Sequence, residues 1–220
     1  MNRGYHEIKE HGKREFPFNI YPCSIPVDFS HVALHWHEEM EIIAVKKGKG
    51  RITVDTVSYP VEEGDILAVF PGQLHAISCG NGERMEYENI IFRLSMLMGD
   101  NGDGCTVHFL KPLQEGQAKN PVLIQRNQPD HEVFGKVIQE LDRFSEIRGN
   151  GYQLAVKGQL FLFLYYAYGR GILFTEKKPG HAREKIKGIL EYIREHFGEE
   201  ITIRQAAELC FYSESHFMKY

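Results

Sequence analysis

One change of rhythm limits what this chain can fold into. From Phe16 to about Leu110 it is a succession of short strand-forming runs: Glu41-Ile-Ile-Ala-Val-Lys, Arg51-Ile-Thr-Val-Asp-Thr-Val, Asp65-Ile-Leu-Ala-Val-Phe and Glu88-Asn-Ile-Ile-Phe-Arg-Leu. Gly48-Lys-Gly50, Glu63-Gly64-Asp65, Pro71-Gly72 and Gly80-Asn-Gly82 punctuate them, and short strands at near-even spacing close into a sandwich or barrel. After about Pro129 the period becomes helical. Val133, Phe134, Val137, Ile138, Leu141, Phe144 and Ile147 share one helix face, with Asp130 placed to cap its start and Gly149-Asn-Gly151 to end it. A second helix, about Tyr152 to Tyr168, is apolar nearly all round over its last half and needs cover on more than one side. The pair reads as a hairpin.

Gly169-Arg-Gly171 and Glu176-Lys-Lys-Pro-Gly180 carry turn formers and charge, which places a linker there. Beyond it Ile186, Ile189, Leu190, Ile193 and Phe197 mark an amphipathic helix closed by Gly198. A shorter helix follows, with Thr202 and Gln205 as a capping box and Ala206 and Ala207 as small packing residues.

Composition narrows the function classes. With 42% hydrophobic and 25% charged residues the chain is globular. A formal net charge of −4 argues against holding nucleic acid by bulk charge, so any such role has to be local. Cys23, Cys79, Cys105 and Cys210 show no Cys-x-x-Cys pair, and are expected to be reduced, mostly buried thiols. The first fifteen residues hold no apolar stretch suited to a secretory signal, and the longest apolar run, Leu160–Tyr168, falls short of the roughly 20 residues of a membrane span. A cytoplasmic protein is expected.

The chemistry concentrates in His35-Trp-His37-x-x-x-Glu41 and in His75, just after Pro71-Gly72. On one strand, alternation puts His35, His37 and Glu41 on a common face, with Trp36 opposite, and the Pro-Gly turn brings in His75 from a neighbouring strand. Three imidazoles and a carboxylate suit a divalent transition metal, and zinc, nickel, iron and manganese all fit. The same groups equally suit an organic ligand held by hydrogen bonds.

This two-part pattern resembles the paired motifs of the cupin superfamily over roughly Leu34 to Ser78. His35, His37, Glu41 and Gly48 match the first motif, and Gly64, Gly72 and His75 the second. Phe70 stands where cupins usually have proline, and Cys79 where they often have asparagine. The resemblance implies a double-stranded β-helix barrel with the four ligand-type side chains inside.

The segment from Gly198 to Tyr220 resembles the first helix-turn-helix of AraC-type transcription regulators at Ile201, Thr202, Ala207, Ser213, Ser215 and Phe217, and departs from it at Phe211, where glycine is usual. Taken with the barrel and hairpin, nearly the whole chain resembles such a regulator. The resemblance implies a mainly β plus α architecture: a cupin-like barrel with an N-terminal arm over 1–128, a helical hairpin over 129–170, a linker over 171–181, and an incomplete helix-turn-helix domain over 182–220. DNA contacts then fall to Ser213, Glu214, Ser215, His216 and Lys219. The recognition helix is expected to be cut at Tyr220, which leaves this chain alone with weak DNA binding or none.

The expected function is that of a ligand-responsive bacterial transcription regulator, with a small polar effector, a sugar among the candidates, sensed in the barrel through His35, His37, Glu41 and His75. A homodimer through the helical hairpin is expected, and no membrane partner. The alternative is a metal-dependent cupin enzyme, an oxygenase or isomerase, using the same four residues; the appended helices weigh against it.

Overall fold

The computed structural model describes residues 5–7, 9–172, 181–199, 201–209 and 214–218, with the side chains of 181–186, 215 and 216 outside that description. Eight strands form the barrel: β1 (Phe18–Ile25), β2 (Val32–His35), β3 (Met40–Val54), β4 (Val57–Glu62), β5 (Ile66–Val69), β6 (His75–Ser78), β7 (Met85–Phe92) and β8 (Val122–Ile124). The long strand β3 belongs to two sheets. Its first half lies between β7 and β5 in the order β1-β7-β3-β5-β8, and its second half lies between β6 and β4, with β2 beyond β6. The pairings among these eight strands are antiparallel.

The handover between sheets falls at Gly48. Its φ of 78° is left-handed, and a Cβ built there would run into the Arg84 carbonyl oxygen, so only glycine suits the bend. The cupin-type glycine spacing at this position therefore has a steric cause.

Alternation along the strands divides the interior in two. Ile43 and Val45 of β3 join Ile52, Val54, Leu67, Val69, Ile77, Met85 and Tyr87 inside the barrel. Met40, Ile42 and Ala44 face the other way, against the hairpin of α2 (His131–Ile147) and α3 (Tyr152–Gly169), where they meet Phe134, Leu141, Leu160 and Phe163. Phe70, at the usual proline position, is 1% exposed in this outer core. A π-helix (Thr106–Leu110) running into the short α1 (Lys111–Gln114) precedes β8, and neither was legible in the sequence.

The helix ends differ from expectation. Asp130 makes no side-chain cap on α2; it holds Arg170, at 2.7 and 2.6 Å, while Arg170 also donates to the Leu123 carbonyl and Gln128. Arg148, not a glycine, takes the left-handed position that closes α2, with φ 46°. In α3, Leu154, Phe161, Leu162 and Tyr165 stay exposed, so the all-round apolar helix keeps one side uncovered among the described residues. Cys23 and Cys79 are half-buried and Cys105 exposed, which corrects the expectation of mostly buried thiols; Cys210 lies outside the described residues. No helix among the described residues is long and apolar enough to cross a membrane.

Beyond the linker, most of which lies outside the described residues, come α4 (His181–Glu195), α5 (Ile203–Leu209) and α6 (Glu214–Phe217). The capping box forms: the Thr202 amide donates to Gln205 Oε1 at 2.9 Å, and the Gln205 amide to Thr202 Oγ1 at 3.2 Å. Ala206 and Ala207 are buried as their size suggests, whereas Phe197 lies beyond α4 and is exposed.

Candidate functional site

Strand alternation is not what gathers the four ligand-type residues. β2 ends at His35, His37 lies in the connection to β3, and Glu41 is the second residue of β3, so the motif spans two elements. His75 opens β6 directly opposite His35 in the β2–β6 pairing. The Pro71-Gly72 turn is tied to the connection by the Gly72 amide, which donates to the His37 carbonyl at 2.8 Å.

The outcome is the expected convergence. One donor atom from each of His35, His37, Glu41 and His75 lies within 4.8 Å of every other. His37, Glu41 and His75 are buried, with His35 at the rim.

The imidazoles share one arrangement. Nδ1 of His35 lies 2.9 Å from the Ala33 carbonyl, Nδ1 of His37 3.1 Å from the Glu39 carbonyl, and Nδ1 of His75 3.0 Å from the Gln73 carbonyl. A carbonyl only accepts, so each Nδ1 donates, and each neutral ring keeps its Nε2 lone pair. For His37 and His75 that lone pair faces Glu41 Oε2, at 3.0 Å in both cases. Two lone pairs at that distance repel unless a proton or a metal cation stands between them.

Without metal, the proton supplies the attraction. Burial works against charging His37, but its hydrogen bond to Glu41 and the charges of Glu41 and Glu39 outweigh burial and raise its pKa. Burial likewise opposes ionised Glu41, yet His75 and His37 hold its pKa well below the usual value. At His35 burial, then the neighbouring His75, push the pKa down to about 4.

The donor set fits a transition ion. Anchored Nδ1 atoms with Nε2 presented inward are the outer-shell arrangement that orients metal-ligating histidines. A 3.0 Å separation is close to that of two ligands sharing an ion at right angles with bonds of about 2.1 Å. All four donor atoms lie within 4.8 Å of one another, a spread on the order of twice that bond length.

The spacing did not reveal two further residues. Glu7 places Oε2 3.5 Å from His35 Nε2, and His11, 4% exposed, donates or accepts at Tyr21 Oη, 3.1 Å away. The concentration of imidazole and carboxylate side chains before Phe16 was their sole trace. Glu39 is also buried, and Arg93 donates to it at 2.7 Å. Trp36 faces away from the cluster, as alternation suggested, and stacks on His6 with ring centroids 4.0 Å apart.

Residues 26–164, more than half of the chain, match the model of the AraC-like ligand binding domain family. The chain belongs to that family. An HTH-type transcriptional regulator of Bacillus subtilis strain 168, YdeC, is 20% identical over the whole chain and 75% of its own length. A second from the same organism, YbfI, is 25% identical over 84% of the chain and 63% of its own length. The crystal structure of ToxT from Vibrio cholerae O395 aligns with 94% of this chain and 74% of its own at a TM-score of 0.43 and 14% identity. The chain thus joins a barrel of the AraC-like ligand binding domain family to the C-terminal helices α4 to α6.

Of the expected DNA contacts, Glu214, Ser215 and His216 lie on α6, and Glu214 is exposed. The side chains of Ser215 and His216, and Ser213 and Lys219 altogether, fall outside the described residues.

Proposed function

We propose that this AraC-type chain is a ligand-responsive transcription regulator of the bacterial cytoplasm whose barrel senses a small polar effector at a metal centre formed by His35, His37, Glu41 and His75. One observation carries the metal: two Nε2 lone pairs, fixed by Nδ1–carbonyl hydrogen bonds, meet a single carboxylate oxygen at 3.0 Å. Zinc, nickel, iron and manganese remain equal candidates, because availability outweighs intrinsic affinity in deciding among them. Bound there, the ion would supply Lewis acidity toward an effector oxygen.

Unpartnered polar atoms buried in the protein support a polar effector. His11 Nε2 and Asn89 Oδ1 are buried and lack a protein hydrogen-bond partner among the described residues. A small hydroxylated or carboxylated metabolite, a sugar among the candidates, can satisfy such atoms. The regulator reading is preferred to a metal-dependent oxygenase or isomerase because α4 to α6 have no use in a barrel enzyme. DNA is then the partner of the helix-turn-helix, through Ser213, Glu214, Ser215, His216 and Lys219.

The exposed α3 face supports a homodimer through the hairpin, since Leu154, Phe161, Leu162 and Tyr165 are exposed apolar side chains that fall on one side of the helix. Metal content after reconstitution, measured on protein without a histidine tag, tests the site. About one ion per chain is expected, lost on Glu41→Gln.

A further inference from the structure

Trp36, the one tryptophan of the chain, joins three parts of the molecule. Covalently it lies between His35 and His37. Its backbone is clipped to the N-terminal segment, with the Trp36 amide donating to the Tyr5 carbonyl at 2.6 Å and the Glu7 amide to the Trp36 carbonyl at 2.9 Å. The His6 ring stacks on its indole at 4.0 Å and 12°. Lys187 of α4 sets its Nζ 3.7 Å from the same ring centroid. Two groups so close to one centroid cannot share a face, so the indole is held between His6 and Lys187.

The surroundings favour this contact. Lys187 also passes over Gly72, where a Cβ would stand 3.4 Å from Nζ, and Gly72 is the residue tied to the His37 carbonyl. Trp36, Pro71, Gly72, Arg93 and Lys187 line a groove of about 420 Å³ between the barrel rim and α4. The attraction of a cation to an indole face is modest, and it depends steeply on ring position. That is enough to bias an orientation and little enough to be broken.

The geometry points to Trp36 as the docking seat through which the state of the barrel site reaches the DNA-binding segment. This rests on the metal-site reading above. Trp36 sits between the two ligands His35 and His37, so a shift of either on loading carries its ring beneath Lys187. A change at the four ligands thereby becomes a change in how firmly α4 is held against the barrel.

Lysine ε-CH₂ resonances of the 220-residue protein, recorded by NMR, test the seat directly. One is expected upfield of the others through the indole ring current, and it should vanish in Lys187→Arg and return to the common position in Trp36→Leu. If Trp36→Leu fails to fold, Lys187→Arg alone carries the assignment. Zn²⁺ should then shift the displaced resonance, with parallel Co²⁺ absorption showing that the site fills. Absence of any displaced lysine overturns the seat. A resonance unmoved by Zn²⁺ at a site that Co²⁺ shows to be filled overturns the coupling and leaves the metal site standing. If no Co²⁺ binds, the metal reading falls by itself, and His35→Asn decides the coupling: an unmoved resonance there overturns it.

Discussion

His35 and His75, far apart in sequence, stand opposite each other in the β2–β6 pairing with their rings 4.1 Å apart. The pairing fixes both backbones, so the ring separation is built into the sheet. Any cation between these rings has its nitrogen ligands prepared before it arrives, which lowers the ordering cost of binding.

Removing the central carboxylate exposes this design. Glu41→Gln deletes the charge that raises His37. The His37 pKa, followed by its imidazole NMR signal in metal-free protein, is expected to fall once burial is opposed only by the charges of Glu39 and Glu7. An unchanged midpoint would show that Glu41 does not hold the proton there.

Acid should destabilise the metal-free protein within a defined window. His35 titrates near 4 in the fold and near 6.5 unfolded, so the unfolded chain takes up its proton first and stability falls as the pH drops between those values. The shift corresponds to at most about 3 kcal/mol. His37, whose pKa is raised, keeps its full contribution throughout this window and loses it only as pH rises through its folded value. Glu41, whose pKa is lowered, begins to lose its contribution only below its ordinary value. Urea unfolding in chelator at pH 7, 5.5 and 4.5 checks this, and a flat or rising series would count against it.

The outer core should be expensive to hollow. Phe134 is fully buried and meets Phe163 edge-on at 5.2 Å between the sheet and α3. Phe134→Ala is expected to cost about 3–5 kcal/mol in chemical denaturation. A loss below about 1 kcal/mol would mean that the hairpin packs loosely on the barrel.

The uncovered α3 stripe predicts self-association. Light scattering across a concentration series should give a dimer for the wild type and a monomer for Phe161→Glu, with the fold retained by circular dichroism. A strictly monomeric wild type at high micromolar concentration would contradict the dimer.

The sequence made much of this fold legible because the barrel obeys period-two chemistry and the hairpin period 3.6. The Gly48 handover and the Thr202–Gln205 capping box were readable from single residues whose backbone needs are specific. The four-residue cluster was also readable, though for an incomplete reason: the chain breaks at Trp36, and sheet pairing, not one strand's alternation, unites His35 with His75. Glu7, His11 and Lys187 were not legible. Each reaches the site through a long-range contact that leaves no periodic trace, as does Asp130, whose carboxylate is drawn from its expected cap by Arg170.

The most direct measurement is the metal content of the purified chain. Wild type without a histidine tag, reconstituted at neutral pH with zinc, nickel, iron(II) and manganese in turn, should retain about one equivalent of at least one ion after desalting. It should lose that ion as the histidines protonate below about pH 6. Less than about a tenth of an equivalent of every ion tested would contradict the metal centre, and would leave the four side chains as hydrogen-bonding groups for the effector alone.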